Sequence, residues 1–215
     1  MRRDSWFGTA IFVFAVLFIV LGTIFIPWPD FQHKPEVSRI RQSASVLELS
    51  LTIKYDNPYE VGADRLVNGV AGFYKYGGPC VVVDLGTTIN FDVISRDAEY
   101  LGGAIAVGIG ISGQALFNRT ARLPLVDFRQ PKDVIGTNTV ASIRSGLYYG
   151  TIGMIDGILE HVIERMGPDT KAVATGGQAP LIVAGSRFVK TLDEHLTLEG
   201  LQMIWERNRS TPGAP

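Results

Sequence analysis

Two short segments of the sequence contain residue types that can carry out phosphate chemistry. The first is Gly62-Ala63-Asp64-Arg65, in which a carboxylate stands beside a guanidinium. An Asp in this setting can act as a general base on a hydroxyl, and the neighbouring Arg can hold an anionic substrate. The alternative is that Asp64 only caps a helix or complements its positive end.

The second segment is Val83-Asp84-Leu85-Gly86-Thr87-Thr88, which follows an apolar run. Glycine lets a backbone approach phosphates, backbone N–H groups and hydroxyls bind their oxygens, and a carboxylate can hold a cation. The alternative is an ordinary hairpin turn, because Asp, Gly and Thr are common turn residues. Each segment alone is weak evidence of function. The choice between the functional and the structural interpretation therefore depends on the motifs elsewhere in the sequence.

The elements that must position these segments alternate between strand and helix patterns. Apolar residues at helical spacing predict a helix from Asp64 to Tyr76, which begins within the first segment. The second segment lies between strands predicted at Cys80–Val83 and Phe91–Ile94. The other predicted elements are strands at Val46–Tyr55, near Tyr100–Ala106 and at Lys171–Thr175, and helices at Gly108–Arg122, Ser142–Met166 and Leu198–Asn208. This alternation predicts an α/β fold.

Four glycines follow one face of the long predicted helix. Gly146, Gly150, Gly153 and Gly157 are spaced by four, three and four residues. Each glycine inside a helix costs ~1 kcal/mol relative to alanine, so the set indicates close approach by another backbone. That contact is either between subunits or internal to the chain.

Composition excludes several classes of function. The 215 residues contain 20 Lys and Arg against 21 Asp and Glu, a net charge of -1, which provides no electrostatic footprint for nucleic acid. Cys80 is the only cysteine in the sequence, so neither an internal disulfide nor a cysteine-based zinc site is expected. The three histidines, His33, His161 and His195, are scattered and indicate no metal site.

A hydrophobic segment stands near the start of the sequence. From Phe7 to Ile26 there is no charged residue, and a single membrane span needs ~20 apolar residues. Residues 1–28 are therefore either an uncleaved single-pass anchor, with membrane contact through residues 6–28, or the product of a misassigned start. We expect residues 29–45 to be a linker, residues 46–208 the main domain and residues 209–215 a flexible tail.

The order of motifs along the main domain resembles the type III pantothenate kinases. The resemblance includes both segments above and covers about residues 50–208. Further matching motifs are Leu101-Gly102-Gly103-Ala104-Ile105-Ala106, Thr120-Ala121-Arg122-Leu123-Pro124, Ile135-Gly136-Thr137-Asn138-Thr139, Thr175-Gly176-Gly177 and Leu196-Thr197-Leu198-Glu199-Gly200-Leu201.

The resemblance implies an actin-like ATPase (ribonuclease H-like) fold, with ATP between two related lobes and a homodimeric assembly. It implies a cytoplasmic enzyme that phosphorylates pantothenate to 4'-phosphopantothenate, the first committed step towards coenzyme A. By position, Asp64 would be the general base, in a buried setting, and Asp84 would bind a monovalent cation, potassium or ammonium. Thr87 would contact a phosphate of Mg-ATP. The pantothenate site would be lined by Tyr55, Gly62, Ala63, Asp64, Arg65 and Thr139.

The resemblance fails at the first phosphate-binding turn of the family. That turn has the pattern Asp-x-Gly-Asn-Thr, and the sequence before Tyr55 contains none. We therefore expect a second lobe that is largely complete, a truncated first lobe, and little or no kinase activity from this chain alone. The alternative is a catalytically inactive, membrane-tethered module that keeps the substrate-side half of the fold.

Overall fold

The computed structural model of the protein describes residues 51–209, with side chains as far as residue 206. The strands of this part are β1 (Thr52–Ile53), β2 (Cys80–Leu85), β3 (Thr88–Ile94), β4 (Glu99–Val107), β5 (Lys171–Thr175) and β6 (Thr191–Leu192). Its α-helices are α1 (Ala63–Tyr76), α2 (Ile109–Arg119), α3 (Thr139–Met166), α4 (Ala179–Val183) and α5 (Leu196–Arg209). A short 3-10 helix covers Pro58–Glu60.

The strands form one mixed sheet in the order β1-β4-β3-β2-β5-β6. β2, β3 and β4 form an antiparallel meander, in which Val82 pairs with Asp92. β5 runs parallel to β2, β6 runs parallel to β5, and β1 runs parallel to β4. The predicted α/β class is therefore confirmed.

Helices cover both faces of the sheet. Val81 and Val83 of β2 pack with Ile155 and Leu159 of α3 on one face. Cys80 and Val82 belong to the core cluster on the opposite face, which α1 and α5 cover; that cluster also contains Ala71, Tyr100 and Leu196. Successive residues of a strand point to opposite faces, so a strand that is buried on both needs a continuous apolar run. This requirement explains Cys80-Val81-Val82-Val83.

Glycines let α1 lie close to its neighbours on both sides. A Cβ atom at Gly72 would approach Val82 Cγ2 to 2.6 Å, so this glycine brings α1 against β2. A Cβ atom at Gly200 of α5 would lie 2.7 Å from the carbonyl oxygen of Val67. α1, which begins within the first chemical segment, therefore packs closely against both the sheet and α5.

Several predicted boundaries were wrong, and α4 and β6 were not predicted. α2 ends at Arg119 rather than Arg122, because Thr120 is extended and its hydroxyl donates to the Leu116 carbonyl at 2.6 Å. α3 begins at Thr139 rather than Ser142, because the Asn138 side chain accepts a hydrogen bond from the Ala141 amide and caps the helix. β2 also continues two residues further than predicted, so the turn between β2 and β3 is confined to Gly86 and Thr87.

The glycine face of α3 is open in the described part of the chain. A Cβ atom at Gly146, Gly150, Gly153 or Gly157 would meet no described heavy atom within 4 Å. Internal packing by the described residues therefore does not explain the four glycines. The subunit contact remains a prediction.

The predicted anchor (residues 1–28) and linker (29–45) lie outside the described residues, as do residues 210–215 of the predicted tail. Within residues 51–209 there is no helix of sufficient length and apolar character to cross a bilayer. The proposed domain boundaries stay predictions.

Candidate functional site

The first chemical segment forms the N-terminal turn of α1. Gly62 is the N-cap residue and contributes no side-chain hydrogen bond, and Asp64 is exposed. The expectation of a buried carboxylate at Asp64 was therefore wrong. None of the described residues donates a hydrogen bond to this carboxylate, so Asp64 does not act as a capping side chain. A Cβ atom at Gly62 would lie 2.5 Å from Asp64 Oδ1, so glycine gives the carboxylate its space.

Arg65 is buried beside Asp64 and forms an ion pair with β3. Its Nε donates to Asp92 Oδ1 at 2.7 Å, and its Nη2 makes a longer contact of 3.4 Å with the Phe91 carbonyl. Tyr100 donates its hydroxyl to the same Asp92 oxygen at 2.8 Å. Burial raises the pKa of Asp92 to about 6, although Arg65 and Tyr100 both act in the opposite direction. The predicted substrate arginine is thus already paired with a carboxylate.

Asp84 lies near the end of β2 and is held by a chain of amide and hydroxyl contacts. Asn68 of α1 donates to Asp84 Oδ2 at 3.0 Å, and Thr197 of α5 donates to Asn68 Oδ1 at 2.6 Å. Burial raises the pKa of Asp84, the Asn68 amide lowers it, and the charge of Asp64 raises it again. Asp64 has the same electrostatic effect on Asp92. The three carboxylates are therefore close enough to influence one another.

The turn between β2 and β3 is enclosed by backbone on two sides. The Gly108 amide, at the N-cap of α2, donates to the Thr87 carbonyl at 3.1 Å. Gly176, at φ +94°, approaches from β5; a Cβ atom there would lie 2.7 Å from the Leu85 carbonyl and 2.8 Å from Asp84 Oδ1. Thr175-Gly176 therefore borders the same turn, a placement that the sequence left open. Thr87 itself is exposed.

The remaining predicted substrate residues divide into two groups. Tyr55 lies next to Arg65 and Tyr100, because its hydroxyl interacts electrostatically with both residues. A Cβ atom at Gly102 would lie 3.0 Å from the Tyr55 ring. Thr139 is exposed at the first residue of α3. Among the described residues, no hydrogen bond or ion pair joins Thr139 to the cluster around Asp64.

Sequence reasoning missed three residues of the site: Asn68, Asp92 and Tyr100. Asp92 gave a usable signal, because a carboxylate within Phe91-Asp92-Val93-Ile94 has to be buried with a partner. Asn68 lies four residues after Asp64, on the same face of the helix, and this spacing was equally visible. Tyr100 gave no signal, since a tyrosine in a strand is usually part of the core.

The described residues contain no group of three or more His, Cys, Asp and Glu side chains that could hold a metal ion. Asp84 is thus a single carboxylate with a neutral amide partner.

Comparison with known proteins gives a consistent family. The family model for type III pantothenate kinase matches residues 30–161. The chain is 77% identical over 168 residues to a type III pantothenate kinase of Solibacter usitatus, covering 78% of this chain and 64% of that protein. It is 60% identical over 164 residues to that of Koribacter versatilis, covering 76% and 60%. The chain therefore spans about three-fifths of the length of these curated relatives.

A solved structure supports the fold. The crystal structure of a protein from Campylobacter jejuni, described as a Baf family transcriptional activator, superposes with a TM-score of 0.50 at 23% identity. The superposition covers 73% of this chain and 70% of that chain. At this level of identity the likeness concerns the fold alone.

Proposed function

Because the chain belongs to the type III pantothenate kinase family, we propose that its site takes part in the ATP-dependent phosphorylation of pantothenate to 4'-phosphopantothenate. The observation that carries the proposal is the arrangement at the N-terminal turn of α1. There an exposed carboxylate without a hydrogen-bonding partner among the described residues, Asp64, adjoins the buried Arg65 and the Asp84 turn. This combination offers a proton acceptor beside a positive charge and a phosphate-binding turn.

Asp64 is the proposed general base. The pantothenate hydroxyl oxygen forms a bond to the γ-phosphorus, the bond from that phosphorus to the bridging oxygen breaks, and ADP leaves with the electron pair. The hydroxyl proton passes to Asp64. Exposure suits this role, because a base must reach its substrate.

The other substrate contacts are proposed from their positions in the family and their places in the fold. Tyr55, Gly62, Ala63 and Arg65 lie around the turn that carries Asp64 and would line the pantothenate site. Thr139 would line it only if a surface beyond the Asp64 cluster completes the site. A second copy of the chain can supply such a surface, and the open glycine face of α3 supports a homodimer.

The β2–β3 turn is the proposed contact for ATP. Thr87 is exposed there and has a hydroxyl for a phosphate oxygen, and the ATP would arrive as its Mg complex. Asp84 would hold a potassium or ammonium ion, because its half-buried carboxylate accepts a hydrogen bond, among the described residues, only from the Asn68 amide. Such an ion would neutralise part of the phosphate charge.

The sheet supports an actin-like (ribonuclease H-like) fold for the second lobe. An antiparallel meander of three strands followed by two parallel strands is the arrangement that this proposal requires. The reaction consumes ATP, so we place the domain in the cytoplasm.

The test is a radiolabel-transfer assay with purified chain, pantothenate and γ-labelled ATP. We expect any ATP-dependent phosphopantothenate formed by the wild-type chain to fall by ~10²–10⁴ in rate in Asp64→Asn, because a positioned general base contributes about that much. ATP-dependent product that disappears in Asp64→Asn would show that this chain is sufficient, which would refute the expectation of low activity and support Asp64 as the base. Measurable ATP-dependent product formed at the same rate by wild type and Asp64→Asn would refute the role of Asp64.

A further inference from the structure

Asp92 is a buried carboxylate beside the proposed site that no sequence motif assigned. It lies on β3, its side chain is completely buried, and a single oxygen, Oδ1, receives both of its hydrogen bonds. The donors are Arg65 Nε at 2.7 Å and the Tyr100 hydroxyl at 2.8 Å. Three elements, α1, β3 and β4, therefore meet at this oxygen.

The ion pair between Asp92 and Arg65 is one-sided. Arginine and carboxylate groups commonly pair through two parallel hydrogen bonds, and a buried oxygen without a partner is costly. Here Asp92 Oδ2 has no hydrogen-bonding partner among the described residues. Within the same part of the chain, Arg65 Nη1 also makes no hydrogen bond. A pair built only for stability would use both of these atoms, so the geometry needs another explanation.

The surroundings of Arg65 leave little of its guanidinium accessible to solvent. Gly103 of β4 lies beside it; a Cβ atom there would approach the Phe91 carbonyl oxygen to 1.6 Å and Arg65 Nη2 to 3.4 Å. The side chain of Arg65 is 9% exposed, so only a small part of it reaches solvent. Its neighbour in the chain, Asp64, is exposed. Nε is thus committed to Asp92 and Nη2 contacts the Phe91 carbonyl, so Nη1 is the terminal nitrogen left for a ligand.

We propose that Asp92 is a positioning residue for Arg65. The Asp92 carboxylate accepts the hydrogen bond from Arg65 Nε and thereby orients the guanidinium, so that a terminal nitrogen is presented to the acceptor substrate beside Asp64. The Tyr100 hydroxyl fixes the Asp92 carboxylate in the orientation that its hydrogen bond with Arg65 Nε requires. The proposal rests on the proposed function, since it takes the acceptor to be pantothenate, an anion that carries a carboxylate. Asp92 itself makes no contact with substrate in this arrangement.

The test measures pantothenate binding to the chain by isothermal calorimetry, together with the NMR signal of the Arg65 Nε–H group. Asp92→Asn keeps the shape of the side chain but removes its charge, so we expect pantothenate to bind about tenfold to hundredfold more weakly. The Nε–H signal should lose its protection from exchange with water. Tyr100→Phe leaves the ion pair but frees the carboxylate, and a smaller loss of roughly threefold to tenfold is expected.

Asp156→Asn is the matched control. Asp156 is also buried, at 3% exposed, and accepts hydrogen bonds from Ser186 and from Arg187, including its Nε. It lies on α3, on the opposite face of the sheet from α1. We expect the control variant to lose stability and to bind pantothenate as the wild type does.

The outcomes separate this proposal from the function on which it rests. If wild-type chain binds pantothenate and Asp92→Asn binds it equally well, the positioning role is refuted and the proposed function stands. The same conclusion follows if the Arg65 Nε–H signal is unchanged in Asp92→Asn. If Asp92→Asn fails to fold, equal binding by Tyr100→Phe and wild type refutes the role instead. Wild-type chain that does not bind pantothenate refutes the proposed function, and the positioning role with it.

Discussion

Replacing Gly108 by alanine should displace the β2–β3 turn that is proposed to bind phosphate. A Cβ atom at Gly108 would lie 2.1 Å from the Thr87 carbonyl oxygen and 2.7 Å from that of Gly86. Ordinary carbon–oxygen contacts are about 3.3 Å or longer, so a gap of roughly 1 Å has to open. The atoms in the way are backbone atoms, which cannot rotate aside as a flexible side chain can. The turn and the start of α2 therefore have to move apart.

The cost can be separated from the ordinary effect of a glycine-to-alanine change. Gly108 has φ -70° and ψ 156°, which alanine adopts readily, so the penalty comes only from the close approach. Overpacking of this kind costs about 1–3 kcal/mol. Gly110, two residues further along α2, has no neighbour within 4 Å in the described part of the chain. Gly110→Ala should leave stability unchanged or raise it by up to about 1 kcal/mol.

Urea unfolding followed by circular dichroism measures both variants. We expect Gly108→Ala to be less stable than Gly110→Ala by about 1–4 kcal/mol, and to bind ATP more weakly in a fluorescence titration with a labelled nucleotide. Equal stability of the two variants would refute the close approach of α2 to the turn. Normal ATP binding by a destabilised Gly108→Ala variant would show that the turn does not bind phosphate.

Three further predictions concern other parts of the molecule. Burial raises the pKa of Asp92 to about 6 in the folded chain, against an ordinary value of 3.8. Between these two pH values the folded state holds a proton that the unfolded state releases. The stabilisation from this proton is complete at low pH and is lost as the pH rises through 6. The excess stability of wild type over Asp92→Asn, measured by urea unfolding, should therefore fall by roughly 1–2 kcal/mol between about pH 5 and pH 8, and an increase would contradict the sign. Gly150→Leu should be no less stable than wild type as a monomer, because a Cβ atom at this position meets no described atom within 4 Å. The same variant should dissociate the proposed dimer, as measured by analytical ultracentrifugation. An intact dimer would exclude the glycine face of α3 as the subunit contact. Burial raises the pKa of the Cys80 thiol to about 12. The native protein should therefore resist alkylation by iodoacetamide at pH values near 8 and react only after unfolding. Rapid labelling of the native protein would contradict this burial.

The sequence predicted the elements whose pattern depends on local residues. Apolar spacing identified α1, and the apolar run at Cys80 identified β2, because both patterns reflect burial against a neighbouring layer. The sequence did not predict α4, which has five residues, or β6, which has two. Segments of that length contain little more than one period of the helical or strand pattern, which is too short to be recognised. β6 is a strand because it pairs with β5, a contact that local sequence does not encode.

The site was predicted in part for a similar reason. Asp64, Arg65, Asp84 and Thr87 lie in two motifs that are continuous in sequence, and the structure places both motifs at one end of the sheet. The partners that set their properties come from elsewhere in the chain: Asp92 is 27 residues from Arg65, and Thr197 is 129 residues from Asn68. Spacing along the chain cannot reveal such pairs. The exposure of Asp64 was also not predictable from its motif, because exposure depends on what packs against the first turn of α1.

Titration of isotopically labelled chain with pantothenate, followed by NMR of the backbone amides, tests whether pantothenate binds at the N-terminal turn of α1. We expect saturable shifts that are confined to Tyr55, the first turn of α1 from Gly62 to Arg65, and the neighbouring strand at Asp92. Asp64→Asn should show the same shifts, because the base is needed for proton transfer and not for the fold of the site. Absence of saturable shifts, or shifts centred on a surface remote from α1, would contradict the assignment of this site to pantothenate.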